Sequence, residues 1–233
     1  MYKIGLYKGT DRMSDLICEN YPMLLVMSRF GIALGFGDKS VEEVCKSHDV
    51  DTNTFLAVVN LLSEERDDSI APKKNNVSAE ALVRYLQNSH SYFLDFRLPL
   101  IRQKLAGAID CENNDIAIAI LKYYDEYVAE VRKHMMYEED TVFPYVKALL
   151  NQDRQPDTYH ISIFSKQHDK VEAKLSELKN IIIKYYPAKS SNELNGVLFD
   201  IFSCAEDLAS HNDVEDYLFI PVIRNLESSK NRK

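Results

Sequence analysis

Apolar residues in the C-terminal two thirds of the chain recur every three or four positions in four long segments, roughly 78–108, 113–151, 158–186 and 191–227. That period lines one stripe of a helix. Short polar stretches (110–114, 151–157 and 187–192) separate the segments. Ser78, Asn113 or Asn114, and Asp157 or Thr158 are suited to cap the first three. Four long helices joined by short loops predict an all-α protein built on an up-down four-helix bundle. Shorter helical patterns precede it. Ser40 with Glu43 three residues on predicts a capping box and a helix through about His48. Asp51 or Thr52 opens the next helix, through about Leu62, and Gly31, Gly35 and Gly37 break the chain before both.

A polar, charged stretch from Glu64 to Asn76 divides the two patterns. The expected organisation is a small helical N-terminal domain (1–66), a linker (67–76) and a bundle domain (77–233). The small domain is too short to bury much core alone, so it is expected to dock on the bundle or on a second copy of the chain in a homodimer.

Each bundle stripe is interrupted by polar residues. The last helix runs Leu198, Ile201, Ala205, Leu208, His211, Glu215, Leu218, Val222; the second runs Val131, His134, Glu138, Val142, Tyr145, Leu149. The third gives Ile161, Phe164, His168, Val171, Leu175, Leu178 and Ile182, and the first Leu82, Leu86, His90 and Phe93. These interruptions repeat. His134, Glu138 and Pro144 recur 77 positions later as His211, Glu215 and Pro221, and His90 recurs 78 later as His168. The bundle therefore reads as one helix pair used twice, with six polar side chains converging about a pseudo-two-fold axis.

A carboxylate on a buried face costs several kcal/mol or more unless something compensates its charge. Four histidines and two glutamates at matching depth point to metal cations as that compensation. Six ligands exceed a closed tetrahedral zinc site; mixed imidazole and carboxylate ligation with open positions suits iron. The simplest arrangement gives each of two irons two histidines, with both glutamates bridging and a hydroxide or oxide completing the bridge. Its residual positive charge would attract small anionic or diatomic ligands. Glu139, Asp140, Asp213 and Asp216 are candidate partners for imidazole N–H groups, most of them expected to face solvent. His48 and His160 have no counterpart in the repeat, and His160 is expected at the surface. Tyr85, Tyr92, Tyr123, Tyr124, Tyr127 and Tyr137 read as packing residues, and Pro144 and Pro221 as positions that kink or end helices.

Composition narrows the function classes. Lys and Arg number 28 against 36 Asp and Glu, a net charge of −8, which argues against nucleic-acid binding. The rhythm of Ser40–Leu62 loosely resembles a helix-turn-helix, yet residues 1–75 carry 9 basic against 12 acidic side chains. Cys18, Cys45, Cys111 and Cys204 form no close pair and suit free thiols in a reducing compartment. No apolar run is long enough to span a membrane and no secretory leader is evident, so a cytoplasmic location is expected.

His90, His134 with Glu138, His168, and His211 with Glu215 resemble the ligand set of the hemerythrin-like bundle, and within it the repair-of-iron-centres family of di-iron proteins. Oxygen-carrying hemerythrins use a fifth histidine and an aspartate; no fifth histidine lies on the stripes here. Ferritin-like proteins use Glu-x-x-His, whereas the order here is His-x3-Glu. Residues 13–62 are similar to that family's small N-terminal domain, but Ala33 and Leu34 stand where its cysteine pair would be. The resemblance implies a role in the nitrosative and oxidative stress response, in repair of iron–sulfur proteins or in handling of nitric oxide, including its reduction; the competing reading is an O2 or NO sensor or carrier that binds without turnover.

Overall fold

The computed structural model describes residues 5–63, 77–151, 159–166, 169–187 and 192–230, and among them the structure is helical with no strand. The chain divides into two compact units. One comprises residues 1–89, 146–155 and 213–233; the other comprises 90–145 and 156–212.

The first unit begins with four short helices, α1 (Met13–Glu19), α2 (Met23–Arg29), α3 (Val41–Ser47) and α4 (Thr52–Ser63). Their ends follow local chemistry. Ser40 and Glu43 form the expected capping box at α3, side chain to backbone in both directions. Asp51 accepts from the Thr54 N–H at 2.7 Å and opens α4. α2 stops because Gly31 takes φ +75°, letting its own N–H reach Ser28 and the Ile32 N–H reach Met27. The core of this unit gathers Met13, Leu16, Val26, Val44, Phe55 and Val58. Phe30 packs between Phe55 and Tyr85, with ring centroids 5.4 and 4.9 Å away. Tyr85 belongs to α5 (Ala79–Ser91), the first bundle helix. Asn88 of α5 donates to the Arg29 carbonyl at 2.7 Å, and the Ser78 N–H donates to Thr54 Oγ1 at 2.8 Å. The short helices are therefore anchored on Ser78 and on α5 as far as Asn88. Ser40→Ala removes one cap of this module and is expected to lower its stability by about 1 kcal/mol. The midpoint of chemical unfolding checks it.

The second unit holds parts of all four long segments. α5 continues through a π turn (Tyr92–Arg97) into α6 (Leu98–Ala108). α7 (Asp115–Tyr137) continues through a π turn (Glu138–Val142) into α8 (Phe143–Leu150). A 3-10 turn (Ile161–Lys166) precedes α9 (Asp169–Tyr185). α10 (Asn192–Val214) continues through a π turn (Glu215–Phe219) into α11 (Ile220–Lys230). The caps expected at Ser78 and Asn114 are present, accepting from the Ala81 and Ile116 N–H groups; Asp157 and Thr158 lie outside the described residues. Leu98, Ile101, Ile120, Tyr124, Val131, Leu175, Leu178 and Ile201 make one apolar core, and α7 packs on both α6 and α9. Asp200 of α10 joins Arg97 at 3.0 Å and Lys104 at 2.7 Å, and so ties that helix to the first segment.

Two expectations need correction. Segment 158–186 is not one α-helix: its first described turn is 3-10. Pro144 and Pro221 do not end their helices. A proline lacks the N–H that would bond four residues back, and its ring crowds that carbonyl. The chain responds with one wider turn just upstream, and the last free N–H reaches five residues back: Phe143 to Glu138 and Ile220 to Glu215. Pro99 follows the same pattern, with the Leu98 N–H on the Phe93 carbonyl. The inserted residue also shifts the stripe. Tyr145 is only half-buried, whereas Phe143 and Val146 are fully buried. Within α10, before its π turn, Leu198 and Ala205 are half-buried, with Val197 and Cys204 taking the inner positions. Tyr85, Tyr124 and Tyr127 are core residues, and Cys45 and Cys204 are buried while Cys18 is exposed.

Candidate metal centre

Five of the six expected ligands fall on described residues. His90 stands at the end of α5 and is almost fully buried. His134 and Glu138 lie four residues apart, the glutamate opening its π turn. His211 and Glu215 repeat that arrangement near the end of α10, with Glu215 opening the next π turn. Glu138, His211 and Glu215 are each 0% exposed. His90, Glu138, His211 and Glu215 bring one ligand atom each within 4.8 Å of one another. His134 joins them through Glu138, its Nε2 lying 3.0 Å from Oε1. His168 lies outside the described residues.

The Glu138 carboxylate faces two imidazoles, one oxygen to each: Oε1 toward His134, and Oε2 toward His90 Nε2 at 3.1 Å. Neither oxygen accepts a hydrogen bond among the described residues, despite these short separations. A fully buried carboxylate without hydrogen bonds is strongly disfavoured. Imidazole nitrogens and carboxylate oxygens converging at this spacing are a donor set that fits cations placed among them.

The other nitrogen of His90 supports the same reading. Its Nδ1 lies 2.9 Å from Glu139 Oε1. An ionised carboxylate only accepts, so Nδ1 carries the proton and Nε2 is left to face the cluster. Aromatic rings hold the imidazoles in place. Phe143 stacks on His90 (centroids 5.5 Å apart, 23° between planes), and Phe164 stacks on His134 (6.2 Å, 9°). Phe93 meets the edge of His211 at 5.9 Å. The Tyr137 hydroxyl donates to that of Tyr159 at 3.4 Å. Burial and that hydrogen bond hold the Tyr159 phenol far above its ordinary pKa, so it stays protonated.

His48 sits at the end of α3 with Nδ1 2.9 Å from the Val44 carbonyl, and His160 is exposed as expected. Of the candidate imidazole partners, Glu139 meets His90 Nδ1. Phe143 and its stacking role had no place on the sequence stripe. Its position directly before Pro144 was the available signal.

The π turn has a measurable role. Pro144→Ala restores the missing N–H and favours an ordinary α turn, which swings Glu138 and Phe143 away from His90. Metal-free protein is expected to be equally or more stable, since proline costs about 3 kcal/mol in a helix interior, while retention of metal falls. Metal content after gel filtration, beside thermal unfolding, checks both.

Residues 81–223, well over half of the chain, match the family described as Hemerythrin HHE cation binding domain. No curated protein matches the chain. No described helix is long and apolar enough to cross a membrane.

Proposed function

The chain belongs to the hemerythrin HHE cation-binding domain family, and on that premise we propose that it is a non-haem di-iron protein of the repair-of-iron-centres type. One observation carries this reading most directly. Glu138 is fully buried, has no hydrogen bond among the described residues, and offers one oxygen toward each of two histidines. A carboxylate so placed is suited to bridge two ions. Glu215 repeats its position at the head of a π turn and lies with His211 in the same cluster. His90, His134, His211 and His168 complete the proposed ligand set.

Bound iron would supply exchangeable coordination positions and one-electron chemistry toward small ligands such as NO and O2. The chain's own residues supply the rest. Glu138 and Glu215 balance part of the metal charge. Glu139 holds the His90 proton on Nδ1. Phe93, Phe143 and Phe164 pack around the imidazoles, an apolar surround that favours small uncharged ligands over bulky polar ones.

The role we assign is cytoplasmic, in the response to nitrosative and oxidative stress: repair of damaged iron–sulfur proteins, or handling of nitric oxide at the two irons. Ala33 and Leu34 replace the thiols of the related small domain, which concentrates the chemistry on the bundle. The alternative is an O2 or NO sensor or carrier without turnover. An anaerobic assay separates them. Iron transfer to a cluster-depleted protein supports repair, and NO consumption with an electron donor supports an NO reductase. A reversible adduct with neither activity would replace both with the sensor reading.

A further inference from the structure

Glu139 lies off the buried stripe and its side chain is 26% exposed, which would ordinarily mark a solvated surface carboxylate. Its Oε1 instead lies 2.9 Å from His90 Nδ1. The adjacent residue, Glu138, faces the opposite nitrogen of the same ring at 3.1 Å. Phe143 stacks on the face of that ring. These three residues are i, i+1 and i+5 of one segment, and they span the π turn that Pro144 closes. In an α-helix, i+5 points well away from i. In a π turn, where the N–H of i+5 reaches the carbonyl of i, the two are brought nearly into line. The wider turn thus lets one short segment grip one imidazole on both nitrogens and one face.

We propose that Glu139 is a positioning residue for the metal centre, acting through His90 and presented to it by the π turn at Glu138–Val142. It keeps the His90 proton on Nδ1 and so directs the Nε2 lone pair at the ions. It also adds negative charge behind the ring, which raises the basicity of the ligating nitrogen. The inference rests on the di-iron reading for its consequence, but the Glu139–His90 hydrogen bond can be tested without any metal.

Glu139→Ala and Glu139→Gln make the test, with two readouts. The first is the nitrogen-bound proton of His90 in metal-free protein labelled with 15N-histidine. Wild type is expected to show a hydrogen-bonded Nδ1–H that exchanges slowly with water. Glu139→Ala is expected to lose that signal, and Glu139→Gln, whose amide oxygen can accept the same bond, to keep it. The second readout is anaerobic ferrous-ion binding, expected to weaken roughly 10–100-fold in Glu139→Ala and to be largely restored in Glu139→Gln. Unchanged exchange and unchanged ferrous affinity in Glu139→Ala would overturn the proposal. So would loss of affinity in both variants alongside lowered thermal stability, since that pattern marks a merely structural residue. If wild type itself binds no ferrous ion, the di-iron reading falls, and the proton signal still decides whether Glu139 holds His90.

Discussion

Replacing Glu138 with leucine is expected to abolish metal retention and, at the same time, to make the metal-free protein more stable. Both effects come from one fact. Glu138 is fully buried with no hydrogen bond among the described residues, and the imidazole nitrogens of His90 and His134 face its oxygens. In the absence of metal that carboxylate is a liability. Exchanging a buried ionic group for an apolar residue of similar size is commonly neutral or stabilising, by up to about 4 kcal/mol. For a chain of this size each kcal/mol moves Tm by roughly 2–4 °C, so a rise of several degrees is expected. Paired measurement of metal content and metal-free thermal unfolding would check it. A residue with a purely structural role would show the opposite sign, because removing it would lose contacts and gain nothing.

The second large effect is that of metal on stability. Ions that bind only the folded chain stabilise it by mass action, about 3–4 kcal/mol when free metal exceeds Kd by a hundred- to a thousand-fold. Chelation is therefore expected to lower Tm by roughly 10 °C. The loss should come from the turns that carry His90, Glu138 and His211. The same chelator should leave Glu138→Leu unaffected. Calorimetric scans of both proteins, with and without chelator, read the result. A shift of equal size in the two proteins would place the stabilising ion elsewhere.

These contrasts also explain what could be read from the sequence. His90, His134 and His211 and the two glutamates were legible because a helix stripe has a fixed period. A polar residue that falls on it must be buried, and only a strong reason keeps it there. The capping box at Ser40 and the cap at Asn114 were legible because their chemistry is local, confined to three or four residues. The π turns were not. A proline inside a helical pattern announces a lost hydrogen bond, but not whether the chain kinks, stops or widens. That choice depends on what the widened turn delivers, here Glu138 and Phe143 to His90. The same insertion moved the inner face from Tyr145 to Val146. Glu139 was legible only as one of four acidic candidates, because its partner comes from another helix 49 positions earlier in the chain. Residues 161–166 carry the apolar spacing of a helix, and Ile161 and Phe164 are buried as that spacing requires; their 3-10 winding left no mark on it. The anchoring of the N-terminal helices on α5 through Phe30, Tyr85 and Asn88 is likewise long-range, and no local pattern encodes it.

The most direct measurement is the metal content and absorption spectrum of protein purified without added metal, beside Glu138→Leu and His211→Ala. About two iron ions per chain, the complement of a carboxylate-rich bundle site, with near-ultraviolet charge-transfer bands that vanish in both variants, is the expected result. A folded, helical wild type that holds no metal even after anaerobic reconstitution with ferrous ion would contradict it, and would leave the buried Glu138 to be explained by something other than a cation.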